Sequence, residues 1–486
     1  MSLRLKNDQN KKSFSDKQII SRFILVNYLD FIQYQKFPNT KAEQSLKLLY
    51  YAFIFTLDLF NKNDEFIKSR FKEEYNQILE QIPGELRADY ERKNISKLVK
   101  FLKRRLFKNK IDYRWLLISE LIYTYKVLDV DFNKDNADFV LIWNYLGIRK
   151  EKQIDNILSS ISNPSTIKNK HIRNSFNEIE SFFAAQYKYF NQKVFNIGVC
   201  ATMSAGKSTF VNALLGGDYL PSRNEATTAC VTSVYDNDSQ KKMIGFSASN
   251  NDILELSDNL LYENIDKWNS DRNVNHIYVQ ADLDDIKSDN VICAVHDTPG
   301  TNNSGNLNHH DITFEFLLEH EMDVLLFVTN IEQLCTNDEK NLLCEIKSKI
   351  IKDTDVKVIF VINKADSIDE QKDGDITEII TKYKDYIEEL GFVNPIIQPL
   401  SSKAARLLKM ALKHKAQDMS IKEQREFALL YDAFLEDFDF SSDSLDLNDS
   451  NEKIKIGKIE YSESNIRKAL NRTGIIAIER EIEKLF

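Results

Sequence analysis

The chain has 486 residues, of which 42% are apolar, which is enough for two or three domains with cores of their own. Its net charge of −9 hides an imbalance, because residues 1–120 carry 24 Lys and Arg against 15 Asp and Glu and leave the remainder at −18. The longest apolar run, Leu48 to Leu57, is about half of what crosses a bilayer, and the polar residues 1–12 do not read as a secretory signal, so a cytoplasmic protein, at most peripheral to a membrane, is expected.

In chain order, apolar residues first recur at helical spacing in Ile19–Phe31, Leu46–Phe60, Phe66–Leu79, Ile95–Phe107 and Trp115–Leu128, with Pro38 and Pro83-Gly84 as punctuation. A further helix is expected from Ser165, as N-cap, to Phe190. In the fourth of the early helices Ile95, Leu98, Val99, Leu102 and Leu106 share one face, ringed by Lys97, Lys100, Lys103, Arg104, Arg105, Lys108 and Lys110. Such a helix suits either a packed apolar stripe with a solvated basic face, or an anionic membrane or nucleic-acid partner.

From Val194 the pattern changes to short β-branched runs separated by helical stretches. Strands are expected at Val194–Cys200, Val231–Tyr235, Ile277–Ala281, Val291–His296, Val324–Thr329, Lys357–Ile362 and Ile396–Leu400. Continuous apolar strands alternating with helices predict an α/β domain, with a mainly parallel sheet and helices on both faces. From Ala404 the chain reads as helical, Glu436–Glu452 as an acidic flexible loop, and Gly474–Phe486 as a last amphipathic helix. The expected domains are a helical one at 1–165, a connecting helix at 166–192, the α/β domain at 193–425, and an acidic loop with a C-terminal helix at 426–486. The five cysteines have no CxxC spacing and read as free thiols in a reducing compartment.

Ala201 to Ser208 follows the first strand and fits the phosphate-binding pattern GxxxxGK[ST], except that Ala201 replaces the first glycine. Backbone N–H groups of Thr202, Met203, Ser204, Ala205 and Gly206 and the helix start at Lys207, Ser208 and Thr209 would face phosphate oxygens. Lys207 would bring a positive charge to the β and γ oxygens, and Ser208 a hydroxyl to Mg2+. Between this loop and the second strand, Thr227 and Thr228 are candidates to bind Mg2+ and sense a γ-phosphate, with Thr228 preferred. His296-Asp-Thr-Pro-Gly300 ends another strand, so Asp297 is a candidate metal-facing carboxylate and the Gly300 N–H a γ-phosphate contact. Asn302 to Asn308 suits a mobile switch loop.

Asn363-Lys-Ala-Asp366 ends the strand Lys357–Ile362 and addresses the base. The Asp366 carboxylate can accept from N1–H and the exocyclic amine of guanine, a pair that adenine lacks. The Lys364 stem can cover the ring, Asn363 can tie this loop to the phosphate loop, and Ser401, Ser402 and Lys403 form a short loop suited to the guanine carbonyl.

Taken together, Ala-Thr-Met-Ser-Ala-Gly-Lys-Ser-Thr209, Asn212-Ala-Leu-Leu215, Leu-Pro-Ser-Arg-Asn224 with Thr-Thr-Ala229, DTPG, NKAD and Thr473-Gly-Ile-Ile resemble the dynamin superfamily, and its bacterial members most. The resemblance covers about residues 190–410. It implies a GTPase that works with Mg2+, binds nucleotide weakly, and is activated when two G domains dimerise across it. It also implies that Ser204 helps to position a monovalent cation (K+ or Na+) and the attacking water, making Ser204, Lys207 and Thr228 the expected catalytic set. Met203 stands where the best-studied members have a polar residue, and Thr301 follows Gly300 in place of a Ras-type glutamine. GTP and GDP, a homodimer or oligomer formed through G domains, and an anionic membrane or a separate stalk subunit are the expected partners. The alternative is a GTPase switch that acts away from membranes and whose basic helical N-terminal domain binds a protein or nucleic acid.

Overall fold

The computed structural model describes residues 14–34, 114–127 and 137–486, apart from 149, 169, 203, 222–229, 241, 251, 284–285, 287–290, 300–307, 353–354, 370–371, 373, 414–418 and 443–451. The chain divides into two compact units, one formed by Met1–Ser15, Lys193–Asn251 and Asn259–Phe486, the other by Asp16–Gln192 and Asp252–Asp258.

In the second unit the described residues form five helices, α1 (Asp16–Tyr34), α2 (Arg114–Val127), α3 (Ala137–Leu146), α4 (Glu151–Ser162) and α5 (Lys170–Phe190). Helical spacing decides which side chains are buried. Ile19, Ile20, Phe23 and Ile24 form the inner stripe of α1, Leu117, Ile118, Leu121 and Ile122 that of α2, and Phe176, Ile179 and Phe183 that of α5. Tyr123 of α2 stacks on Phe183 with ring centroids 4.9 Å apart. Ser165 is not an N-cap. It lies in a short 3-10 turn, Pro164–Thr166, because Pro164 cannot continue helix α4, and α5 starts only at Lys170. The expected helices Leu46–Phe60, Phe66–Leu79 and Ile95–Phe107, with the basic face at Arg104 and Arg105, lie outside the described residues. Among the described residues no helix is long and apolar enough to cross a membrane.

The first unit is an α/β layer structure. Its strands are β1 (Lys193–Ala201), β2 (Val231–Asp236), β3 (Ile244–Ser249), β5 (His276–Ala281), β6 (Val291–Asp297), β7 (Val324–Asn330), β8 (Lys357–Asn363) and β9 (Ile396–Pro399), while β4 (Asp252–Ser257) falls in the other unit. They lie side by side in the order β3-β5-β2-β6-β1-β7-β8-β9. The run from β6 to β9 is parallel throughout, as expected. β2 runs antiparallel to β6, and β3 antiparallel to β5. The central strands are buried on both faces, which is why their sequences read as unbroken apolar runs. One polar exception is His296 in β6, completely buried, whose ring nitrogens meet Ser233 Oγ at 2.8 Å and Asn196 Oδ1 at 3.0 Å. A strand interior accepts a histidine when both nitrogens are satisfied.

Helices α6 (Lys207–Leu215), α7 (Tyr262–Ser270), α8 (Asn308–Glu319), α9 (Asn337–Ile346) and α10 (Ile376–Glu389) connect the strands. After β9 come α11 (Ser402–Leu412) and α12 (Ile421–Glu436). The expectation of helix from Ala404 onward, broken only by the acidic loop, is corrected here, because β10 (Lys453–Ile456) and β11 (Ile459–Ser462) form an antiparallel hairpin before α13 (Glu463–Arg472) and α14 (Ile475–Glu483). All five cysteines are free, with Cys200, Cys230 and Cys293 buried and Cys335 and Cys344 exposed.

Candidate functional site

The sheet register sets the site. Val199 of β1 lies opposite Asp297 at the end of β6, Ala201 opposite Val328 of β7, and Asn330 opposite Asn363 at the end of β8. Four neighbouring strands therefore finish at one edge, where their loops meet, as ligand sites of open parallel sheets require.

Ala201 is the last strand residue and is buried at 4% exposure, so its methyl group is taken up by the core and not by the loop. The loop that follows turns tightly into α6. Ala205 N–H donates to Thr202 O at 3.3 Å, and Ser204 and Gly206 adopt left-handed backbone at φ +58° and +82°. Gly206 is there for two reasons. Its φ favours glycine, and a Cβ built on it would stand 2.7 Å from Asn363 Nδ2. Lys207 opens α6 with its side chain buried and forms an ion pair with Asp297. Two charges so withdrawn from water are tolerated because they satisfy each other. Ser208 Oγ donates to the second oxygen of the same carboxylate at 3.3 Å. Thr209 follows in the first turn, half-buried. The neighbouring Thr298 is locked by a 2.8 Å bond from its hydroxyl to Val199 O.

On the base side, Asn363 is the joint. Its Nδ2 donates to Ala205 O at 2.7 Å, and its Oδ1 accepts from Ser402 N–H at 3.0 Å. One buried amide thus links the phosphate loop, the NKAD turn and the start of α11. Lys364, itself at φ +60°, donates from Nζ to Ser204 O at 2.9 Å, laying its stem across the gap between the two loops. Asp366 sits in the 3-10 turn Ala365–Ser367. Burial pushes its carboxyl above the usual carboxylate range, opposed by a hydrogen bond from Ser401 and the charges of Lys403 and Lys364. A partly desolvated carboxylate gains most from a ligand that brings two N–H donors. Ser401 caps α11, its hydroxyl accepting from Ala404 N–H at 3.3 Å, and Lys403 pairs with Glu426 at 2.8 Å. The Ser402 hydroxyl is buried and has no hydrogen-bond partner among the described residues.

Ser208 and Asp297 present hydroxyl and carboxylate oxygens to one point, the hard donor set that suits Mg2+. Ser204 is exposed, and a single hydroxyl does not make a shell for K+ or Na+. Of the expected site residues, the structure brings together Thr202, Ser204, Ala205, Gly206, Lys207, Ser208, Thr209, Asp297, Asn363, Lys364, Asp366, Ser401, Ser402 and Lys403. Met203, Thr228 and Gly300, together with Thr227 and the switch stretch 302–307, lie outside the described residues.

Sequence reasoning missed three supports. Asn212, wholly buried in α6, accepts from the Tyr219 and Leu220 N–H groups and donates to Leu220 O, which fixes the start of the segment leading to the threonines. Ser401 N–H donates to Thr473 O at 3.1 Å, and Gly474, at φ +88°, lies where a Cβ would stand 2.3 Å from Pro399 O. The Thr473-Gly474 corner therefore backs the base-side loop from 72 residues downstream, a role that the Thr473-Gly-Ile-Ile motif did not by itself reveal. Arg406 of α11 bonds Asp218 at 2.6 and 2.8 Å and Glu423 at 2.6 Å, joining the loop after α6 to α12.

Residues 197–365 match the profile of the dynamin family. An uncharacterised protein encoded in the xynA 3′ region of Caldicellulosiruptor sp. (strain Rt8B.4) is 27% identical over 223 residues, 44% of this chain and 50% of that protein. Dynamin-like protein 1 of Campylobacter jejuni subsp. jejuni serotype O:23/36 (strain 81-176) is 24% identical over 310 residues, 56% of this chain and 40% of the relative. The chain thus matches half or less of the length of these relatives. A solved structure described as an oligomerised bacterial dynamin pair for sensing and tethering membranes is 19% identical, with a TM-score of 0.36, over 66% of this chain and 54% of that one.

Proposed function

Given that this chain is a dynamin-superfamily protein through its domain at residues 197–365, we propose that it binds GTP and hydrolyses it to GDP and phosphate. The observation that carries the reading is the Asn363 amide, which bonds the phosphate loop at Ala205 and the base loop at Ser402. A nucleoside triphosphate must be gripped at both ends at a fixed span, and this side chain sets that span.

Asp366 selects guanine through N1–H and the exocyclic amine, and an adenine in its place leaves a half-buried carboxylate without donors. Lys207, already held among buried groups, exchanges its contact with Asp297 for β and γ oxygens. Ser208 and Asp297, with Thr228, are the residues that would hold Mg2+, which supplies charge neutralisation on the polyphosphate when bound. Ser204, exposed in the loop, is the residue assigned to orient water at the γ-phosphate. The reading extends to pairing of two such domains across the nucleotide, which brings a second loop to each γ-phosphate. Replacing Asp366→Asn exchanges an acceptor for a donor and acceptor, so selectivity should move from GTP toward xanthosine triphosphate, whose 2-oxo group accepts. Competition binding measures it; a variant with the selectivity of the wild type would remove Asp366 from base recognition.

A further inference from the structure

The loop after β7 carries the segment Ile331–Gln333, which packs on the turn Ala365–Ser367 that holds Asp366. What fixes this loop therefore bears on where the Asp366 carboxylate points. At its near end, Asn330 Oδ1 accepts from Glu332 N–H at 3.1 Å. At its far end Cys335 adopts φ +59°, a left-handed conformation that a non-glycine residue keeps only when its surroundings hold it.

The holding group is Glu339. Its Oε2 accepts from Cys335 N–H at 2.6 Å, and its Oε1 accepts from the Tyr383 hydroxyl at 2.8 Å. Both side chains are buried, Glu339 at 0% and Tyr383 at 1% exposure. Thr336 caps α9 and accepts from Glu339 N–H at 3.3 Å, so the carboxylate is aimed from the first turn of that helix. Tyr383 lies on α10, the helix that follows the NKAD turn, with its ring against Phe360 of β8. One buried carboxylate thus ties together the two connections flanking the base loop. Burial pushes it above the ordinary carboxylate range, a cost that an apolar residue at 339 would avoid.

We infer that Glu339 is a positioning residue for guanine recognition, acting through Cys335 and Tyr383 on the turn that carries Asp366. The inference rests on the proposed base site. It predicts that Glu339 governs base selectivity while leaving the phosphate grip and the chemical step nearly untouched.

The test compares GDP with inosine diphosphate, which lacks the exocyclic amine, for the full chain and its variants with Mg2+ present. Glu339→Leu keeps the bulk and removes both bonds. Loss of about 1.4 kcal/mol of aligned hydrogen bonding to the base corresponds to a roughly tenfold weaker GDP affinity. Inosine diphosphate should weaken less, so the preference for guanine falls, KM for GTP rises, and kcat stays near the wild-type value. Glu339→Gln can still accept from Cys335 N–H and donate to the Tyr383 oxygen, and should restore the wild-type ratio. Should Glu339→Leu not fold, Tyr383→Phe keeps the packing, removes one bond, and should lower the ratio in the same direction by a smaller factor. A folded Glu339→Leu or Tyr383→Phe protein that melts earlier but keeps the full guanine preference makes Glu339 a stability residue only and overturns the inference. A wild-type protein that does not distinguish the two nucleotides refutes the base site itself, and the inference with it.

Discussion

Gly206→Ala isolates the link between the two halves of the proposed nucleotide site. The alanine Cβ meets two obstacles, a φ of +82° and Asn363 Nδ2 at 2.7 Å. Left-handed backbone costs a non-glycine residue about 1–2 kcal/mol. Moving Asn363 aside gives up its 2.7 Å bond to Ala205 O, worth about 1 kcal/mol. Relief of both requires the phosphate loop to leave its binding shape, so the total of roughly 2–3 kcal/mol appears as about 30- to 150-fold weaker nucleotide binding. Gly374→Ala is the control. It shares a positive φ, +94°, but its Cβ has nothing within 4 Å, so it should lose a little stability and no affinity. Titration of a fluorescent GDP analogue measures both. If folded Gly206→Ala binds within twofold of wild type, the loops are not coupled through Asn363, and the account of the joint is wrong.

Lys207→Ala should abolish GTP turnover in a phosphate-release assay, a loss of at least about a hundredfold, because it removes the cation at the developing charge. It also strands Asp297, so a thermal melt should accompany it. Lys409 and Glu479 form a buried ion pair between α11 and α14. Lys409→Met strands the carboxylate and should cost about 3 kcal/mol by urea unfolding, and an unchanged midpoint would contradict the pairing. Burial lowers the His276 pKa to about 3, and His296 also lies well below its ordinary value. Both are neutral in the fold and bind protons only on unfolding, so their contribution is complete above about pH 6.5 and declines as the pH falls toward 3. From pH 7.5 to 5.5 the pair should cost about 3 kcal/mol, read as a lower denaturation midpoint; equal midpoints would refute it. Pairing of two G domains predicts turnover per molecule that rises with protein concentration, and a flat dependence would refute it.

The loops of the candidate site were legible because each places a rare chemistry at a strand end, Gly206-Lys207-Ser208, Asp297 and Asn363 through Asp366, and the structure brings these ends together. The parallel strands β1, β6, β7 and β8 were legible because burial on both faces leaves long apolar runs. Strand direction was not legible. Val231–Asp236 is as β-branched as its neighbours, and nothing in it says that it runs against β6. β3, Ile-Gly-Phe-Ser-Ala-Ser249, escaped notice because small residues mask the apolar pattern. The hairpin β10–β11 does carry a local signal. Lys453-Ile-Lys-Ile-Gly-Lys-Ile-Glu-Tyr461 alternates with period two, with Ile454 and Ile456 buried and Gly457 at φ +60° in the turn. The backing of Ser401 by Thr473 and the Glu339–Tyr383 bond join positions 72 and 44 residues apart. Contacts at such separations leave no local pattern.

The account depends most on the purine preference of the site. Calorimetric titration of the wild-type chain with Mg2+ and a slowly hydrolysed GTP analogue should give a saturable one-site heat, and the matched ATP analogue none. Uptake of the adenine nucleotide with no heat from the guanine one would contradict the assignment of Asp366 and everything built on it.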